Sequence, residues 1–468
     1  MKDNKIELSK ENIENQRNKV FGSHPEVLLI APCKIGKGVI QFNKTQQQYY
    51  SKTFEKTDLS SCFFIPASGS GSRMFQFLYD FLDTPNEKNR GEVERFLNNI
   101  TDFAFFEQLP YSKRKELSNY DLEIEEIVSY LLNKHGMGYG TLPKGLIPFH
   151  KIDPFILTPF QEQVLQGVKV KEEKLSFHFT IQSIFEQAIT NGIRQAQSLS
   201  GKLYDVSFSN QDRTTNAIAY NSKEKPFIKE DGEILDRPAG HGALLQNLNK
   251  IDSDFIFIKN IDNVQPFDKS DKSITTWKVL GGVLIEYNIE AKKTYQKPSI
   301  EAFQKLNDIY QIVDPKTVIN LSNAEIKTIL NRPSRICGMV RNEGQPGGGP
   351  FWVNDNGVVS KQIVEKAQIT MKGEQYRLMV QSTHFNPVMI VASTRDMDGN
   401  KFDLNEFKDD SKYFIVKKKF QGQDIQFMEL PGLWNGSMAH WNSLFMEVDS
   451  STFSPVKNVL DLLDRSHK

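Results

Sequence analysis

Holding a phosphate group takes backbone amides and cations at fixed points, and residues 61–81 (SCFFIPASGSGSRMFQFLYDF) supply both. Ser68, Gly69, Ser70, Gly71 and Ser72 are small enough for successive N–H groups to turn toward one anion, and Arg73 adds a positive charge where a helical pattern begins. The spacing is neither a GxxxxGK[ST] P-loop nor a full dinucleotide fingerprint, so a plain strand-to-helix turn remains the competing reading. Lys144, set between Pro143 and Gly145, has restricted backbone neighbours and suits a positioned phosphate ligand, although most lysines are merely solvated. Asp262 follows the apolar run 254–258 (DFIFI), the end of a strand where ligands gather in open α/β sheets. Its carboxylate suits a Mg2+ ion bridging nucleotide phosphates, with Asn260 and Asn263 to orient it; an isolated turn acid is the plainer alternative.

Further along, Gly240 and Gly242 flank His241 ahead of another helical run, which allows either a backbone-lined ligand contact or simple packing. Glu365 can accept hydrogen bonds from sugar hydroxyls, and His384 and Asn386 stand together at a strand boundary. Trp434, Asn435, His440, Trp441 and Asn442 mix aromatic faces with amides and imidazole, as carbohydrate recognition does, while core packing explains the tryptophans equally well. His150 reads as a loop or packing residue, because no partner can be placed beside it. No serine or cysteine triad can be assigned.

The elements that must position these residues alternate. A short apolar run at 62–65, a turn-rich loop and apolar residues at helical spacing from 74 to 82 predict strand, loop and helix. From 175 onward, KLSFHFTI, SIFEQAITNGIRQAQSL, LYDVSFSN and DFIFI alternate strand and helix patterns, which argues for a layered α/β sheet. Thr158 is a candidate cap for a helix through TPFQEQVLQG. Residues 5–20 read as a polar helix, 87–134 as a helical insertion, and VKNVLDLLDRSHK as an ordinary amphipathic helix. Lys34 and Lys37 read as a basic surface turn. The expected organisation is a helical and lead-in segment at 1–60, a nucleotide-binding α/β domain at 61–335, and an α+β region at 336–468 that is a candidate for completing a sugar site.

With 58 basic and 58 acidic side chains the formal charge is zero, so nothing global favours nucleic acid as a partner. The three cysteines, Cys33, Cys62 and Cys337, are widely spaced and form neither a zinc motif nor a disulfide framework, which fits a reducing compartment. No apolar run is long enough for a membrane span, and a cytoplasmic protein is expected; oligomeric state is not legible.

Taken together, PASGSGSRM, LPKGLIPFHK, RPAGHGALLQNL, IKNIDNV, GQPGGGPFWV, STHFNPV and LPGLWNGSMAHWN resemble the bacterial family called domain of unknown function 4301. More remotely, the order of the first four is similar to UDP-sugar pyrophosphorylases and other nucleotide-diphospho-sugar transferases. That resemblance implies a Rossmann-like nucleotide-diphospho-sugar transferase fold with helical insertions. It implies that Ser68 to Arg73 act as the nucleotide phosphate loop and Lys144 contacts phosphate. It gives Gly240, His241 and Gly242 an approach to base or ribose, Asp262 the metal, and Glu365 the sugar. The loop is less glycine-rich than in pyrophosphorylases, and GHG stands where they carry a GNGG-like stretch, which leaves the base open. The implied partners are a nucleoside triphosphate and a sugar 1-phosphate, with Mg2+ as cofactor. A nucleotide-sugar-dependent glycosyltransferase and a noncatalytic nucleotide or sugar-phosphate binding protein are the alternatives; the lack of a DxD motif at Asp262 counts against the former.

Overall fold

Buried apolar runs set the framework. In the computed structural model, which describes residues 9–22, 26–84, 86–118, 123–344, 347–355 and 357–468, the chain divides into two units. One comprises 1–57, 211–256 and 279–448; the other comprises 58–210, 257–278 and 449–468. Each is thus assembled from separated stretches of the chain.

The second unit contains the phosphate-loop candidate. Strands Ser61–Pro66, Leu175–Thr180 and Asp205–Ser209 pair in parallel, with Phe63 opposite Phe177 and Phe177 opposite Val206. Near-continuous burial along the first two is what a sheet covered on both faces requires. Strand Phe255–Lys259, which straddles the division, lies beside Ser61–Pro66. Helix Glu186–Ser200 connects two of the parallel strands, and helix Pro159–Val170 precedes them. The latter opens with the expected Thr158 in a capping box, Gln161 Oε1 accepting the Thr158 N–H at 2.9 Å, worth about 1 kcal/mol.

The predicted helical insertion forms helices Glu87–Asn98, Tyr111–Ser118 and Ile124–Leu132, with 3-10 turns Ile100–Asp102 and Ala104–Gln108 between the first two. Their apolar faces bury Phe96, Val128 and Leu131 in one cluster with Met74 and Phe75 of the loop's helix and with Val456, Val459 and Leu460. That last group corrects an expectation. Residues 456–468 form no long amphipathic helix: only the 3-10 turn Val459–Leu463 is helical, because Asn458 caps it at once and Asp461 folds back onto the backbone of Lys457 and Asn458.

In the first unit the strand order is Lys34–Ile35, Gly38–Ile40, Asn442–Glu447, Ser334–Arg341, Met389–Ser393, mixing parallel and antiparallel pairs. Two antiparallel three-stranded sheets accompany it, Leu28–Pro32 with Gly349–Asp355 and Val358–Val364, and Tyr220–Asn221 with Gln423–Glu429 and Phe414–Phe420. The polar N-terminal helix is Lys10–Phe21, capped by Ser9; the expected start at residue 5 lies outside the described residues. Both units are therefore α/β. Among the described residues no helix is long and apolar enough to cross a membrane, and all three cysteines are free and buried.

Candidate functional site

The loop after Ser61–Pro66 folds as its composition predicts, into the 3-10 turn Gly71–Phe75 and helix Gln76–Asp83. Ser70 Oγ accepts the Ser72 N–H at 3.1 Å and starts the turn. The loop also pairs with the lysine segment: the Gly71 N–H donates to Leu142 O at 2.8 Å and the Lys144 N–H to Gly69 O at 3.2 Å. This approach leaves no room for a side chain at residue 71, where a Cβ would stand 2.6 Å from Ile147 Cδ1 and 2.9 Å from Leu142 O. The amides of Ser68, Gly69 and Ser70 have no acceptor among the described residues. Arg73 is exposed and has no ion-pair partner among them. Free amides and a free cation on one loop are the elements of an anion site.

Lys144 and Asp262, 118 positions apart, meet. Lys144 Nζ donates to Asp262 Oδ2 at 3.0 Å and to Val456 O at 2.7 Å. A second ammonium, Lys457 Nζ, lies 3.1 Å from the same Asp262 oxygen. Burial alone would raise the Asp262 carboxyl, but the two ammoniums hold it below the ordinary aspartate value. Two cations on one carboxylate leave a surplus positive charge around Asp262. Asp262 Oδ1 accepts no hydrogen bond among the described residues. Asn263, expected to orient the Asp262 carboxylate, uses its Oδ1 to accept the Ser454 N–H at 2.9 Å. Among the described residues no three His, Cys, Asp or Glu side chains cluster to hold a metal ion. A Mg2+ ion fits here only as one that takes a single carboxylate and draws its remaining oxygens from water and phosphate, which is its usual habit.

Lys457 escaped the sequence reading because an isolated lysine near an apolar pattern carries no signal. His150 escaped it as well. Its Nδ1 lies 3.0 Å from Glu162 Oε1 and its Nε2 lies 2.9 Å from His467 Nδ1, all three side chains buried. Desolvation pushes both imidazoles down to about 3 and raises Glu162, so the chain of hydrogen bonds is held in its neutral form. Lys259, buried three residues before Asp262, is pushed down to about 7 by desolvation, with Glu162 opposing.

The first unit holds the other candidates. A cavity of about 690 Å³ is lined by His241, Glu365, His384 and Glu429 among apolar neighbours such as Phe351 and Phe385. Glu365 is raised by burial, against contacts from Asn435 and Trp434 that lower it. His384 is lowered by burial against Glu447, 3.6 Å away, and its Nδ1 meets Thr383 Oγ1 at 2.8 Å. Asn386 is a support instead: its Oδ1 accepts the Val388 N–H at 2.8 Å, and Val388 has a φ of 59°. Gly240, His241 and Gly242 pack on 429–434. His241 stacks on Trp434 at 4.1 Å and accepts the Leu433 N–H at 2.8 Å, and a Cβ on Gly242 would stand 2.1 Å from Pro431 O. Trp441 and Asn442 are buried; Asn442 donates to Ile329 O at 2.8 Å.

No curated protein matches the chain. Solved structures similar to it include a protein of Entamoeba histolytica named as a UDP-N-acetylglucosamine pyrophosphorylase, 11% identical, covering 91% of this chain and 82% of its own, with a TM-score of 0.48. Another is a protein of Trypanosoma brucei named as a UDP-glucose phosphorylase, also 11% identical, covering 94% of this chain and 69% of its own, with a TM-score of 0.43. The sequence itself matches one family from residue 2 to residue 468, and the chain therefore belongs to the family described as Domain of unknown function (DUF4301).

Proposed function

We propose that the protein is a sugar-1-phosphate nucleotidyltransferase, forming a nucleotide sugar and pyrophosphate from a nucleoside triphosphate and a sugar 1-phosphate. The observation that carries the reading is the convergence of Lys144 and Asp262 with the loop at 68–73, through the paired backbones of Gly69 and Lys144. In this reaction an oxygen of the sugar phosphate forms a bond to the α-phosphorus, and the bond from that phosphorus to the bridging oxygen breaks, the electron pair leaving with pyrophosphate. The nucleophile is already an anion, so no side chain has to remove a proton. What the protein must supply is alignment and neutralisation of charge on the transferring group.

The amides of Ser68 to Ser70 suit the role of phosphate donors, Arg73 and Lys144 that of cations. Asp262 would hold Mg2+ through one oxygen; when bound, that ion neutralises charge on the phosphates. Glu365 and His384 are candidates for sugar hydroxyls on the chemistry of their own cavity, which sets carboxylate and imidazole among apolar walls. The test is magnesium-dependent pyrophosphate release from a panel of nucleoside triphosphates and sugar 1-phosphates. Release that needs both substrates, and that Lys144→Ala and Asp262→Ala each lower by orders of magnitude, is the expected result. Retained nucleotide-sugar binding without release would replace this reading with a glycosyltransferase or a binding protein.

A further inference from the structure

We propose that Lys457 is a second phosphate-binding cation of the Asp262 site, and that the site is built for a pyrophosphate-type anion, as free pyrophosphate or the end of a nucleoside triphosphate, rather than a single phosphate. The inference rests on reading this end of the sheet as a phosphate site, but not on the reaction performed there.

Three observations carry it. The first is how firmly the backbone at 454–458 is placed while the side chain is left open. The Val456 N–H donates to Asp262 O at 3.0 Å, Asn263 and Pro455 form an antiparallel bridge, and the Ser454 N–H donates to Asn263 Oδ1. On the other side, Asp461 Oδ2 accepts the Lys457 N–H at 2.7 Å and the Asn458 N–H at 2.8 Å. Val456 and Val459 are wholly buried. Lys457 is fixed from both directions, yet its side chain remains 58% exposed, against 13% for Lys144.

The second observation is redundancy. Asp262 already has a buried counter-ion in Lys144, so an exposed second ammonium adds little to its neutralisation. A second cation on the same oxygen does add charge that a ligand can use. The third is the balance of charge at the site, where the two ammoniums of Lys144 and Lys457 share one carboxylate, Asp262, and leave a net positive charge. Two ammoniums tied to one oxygen are close neighbours, so they can grip adjacent phosphates of one ligand, each as a charge-assisted donor. The carboxylate acts as the spacer that keeps them converging in spite of their repulsion.

Calorimetric titration of the full chain with pyrophosphate, inorganic phosphate and a nucleoside triphosphate, each with and without Mg2+, tests this. Pyrophosphate or the triphosphate should bind more tightly than phosphate. Lys457→Gln should weaken that binding by about tenfold, with Lys457→Arg recovering part of it, while the thermal midpoint stays in place. A Lys457 effect on the triphosphate alone identifies the nucleotide as the source; an effect on free pyrophosphate as well assigns the product. Unchanged affinity in Lys457→Gln, phosphate binding as tightly as pyrophosphate, or no binding of either polyphosphate would overturn the proposal. A lowered midpoint with unchanged affinity would make Lys457 a structural partner of Asp262. Lys457-dependent binding in a protein that turns over no sugar 1-phosphate would sink the transfer reading and leave this one standing.

Discussion

Replacing Asp262 by Asn should destabilise its unit as well as its chemistry. The side chain of Asp262 is 10% exposed and that of Lys144 13%, so the substitution strands an ammonium that cannot turn to bulk water. Breaking one partner of a buried pair costs about 3–5 kcal/mol, whereas the exposed contact to Lys457 is worth at most about 1 kcal/mol. Asparagine keeps a side-chain carbonyl, and Lys144 keeps Val456 O, so the lower end, about 3 kcal/mol, is expected. For a unit of this size that corresponds to a fall of about 6–12 °C in thermal midpoint. Because the cost is an uncompensated ammonium, Asp262→Asn combined with Lys144→Met should be more stable than Asp262→Asn alone. Thermal unfolding of the three variants, with amide exchange at Val456 as the local probe, measures this. A drop of less than about 2 °C, or a double variant no better than the single one, would refute the argument. The acid limb gives the sign independently. The folded-state pKa of Asp262 lies below its ordinary 3.8, so its stabilisation is present above that value and lost as pH falls through the depressed one. Asp262→Asn removes that part of the acid response.

Lys144→Ala should lower turnover by about 10²–10³-fold in the pyrophosphate-release assay, the range for removing one electrostatic stabiliser; a change within twofold counts against its role. The neutral His150 and His467 should make stability pH-dependent. With folded values of about 3 against an ordinary 6.5, their contribution is intact above 6.5 and falls with pH toward 3, at about 1.4 kcal/mol per unit for each. Substituting both by Asn should flatten midpoints between pH 6.5 and 4, and an unchanged slope would show that the imidazoles are not held neutral. Gly71→Ala should cost about 1–3 kcal/mol by overpacking against Ile147 and Leu142, and should weaken pyrophosphate binding along with stability; wild-type behaviour in both would mean the loop gives way freely. Lys259→Met should stabilise by about 1–4 kcal/mol near neutral pH by removing a buried amine, and a lowered midpoint would show that its ammonium has a structural use.

Much of the second unit was legible because local rules and tertiary outcome agree there. The run at 62–65, the small residues at 67–72 and the apolar spacing from 74 each have one favoured conformation, and the structure adopts all three. Thr158 capped its helix for the same reason. Lys144 was singled out by its proline and glycine neighbours, which fix the backbone of the 3-10 turn Lys144–Leu146. What the sequence could not show was convergence across long separations. Lys457 reaches Asp262 over 195 positions and His467 reaches His150 over 317, and neither pairing leaves a local pattern. The 456–468 segment misled because its apolar spacing is genuinely helical, while the side chains of Asn458 and Asp461 compete for the backbone and hold it to a single turn. Asn386 misled in the opposite direction: a polar residue beside a histidine suggests a ligand contact, and here it stabilises the left-handed Val388.

The division of the chain into interleaved stretches sets an order of events during synthesis. The strand that carries the loop at 68–73 is translated early, but Val456 and Lys457 leave the ribosome only after the whole of 279–448 has been made. At about 5–20 residues per second, Asp262 waits on the order of ten to forty seconds for Lys457, and the loop at 68–73 about twice as long. Through that interval Lys144 lacks the carbonyl of Val456, and the apolar surface destined for Val456, Val459 and Leu460 stays uncovered. A nascent chain of this protein is therefore expected to pass through a stage in which the loop at 68–73 is already shaped, the contacts around Asp262 are incomplete, and a chaperone has a defined patch to hold.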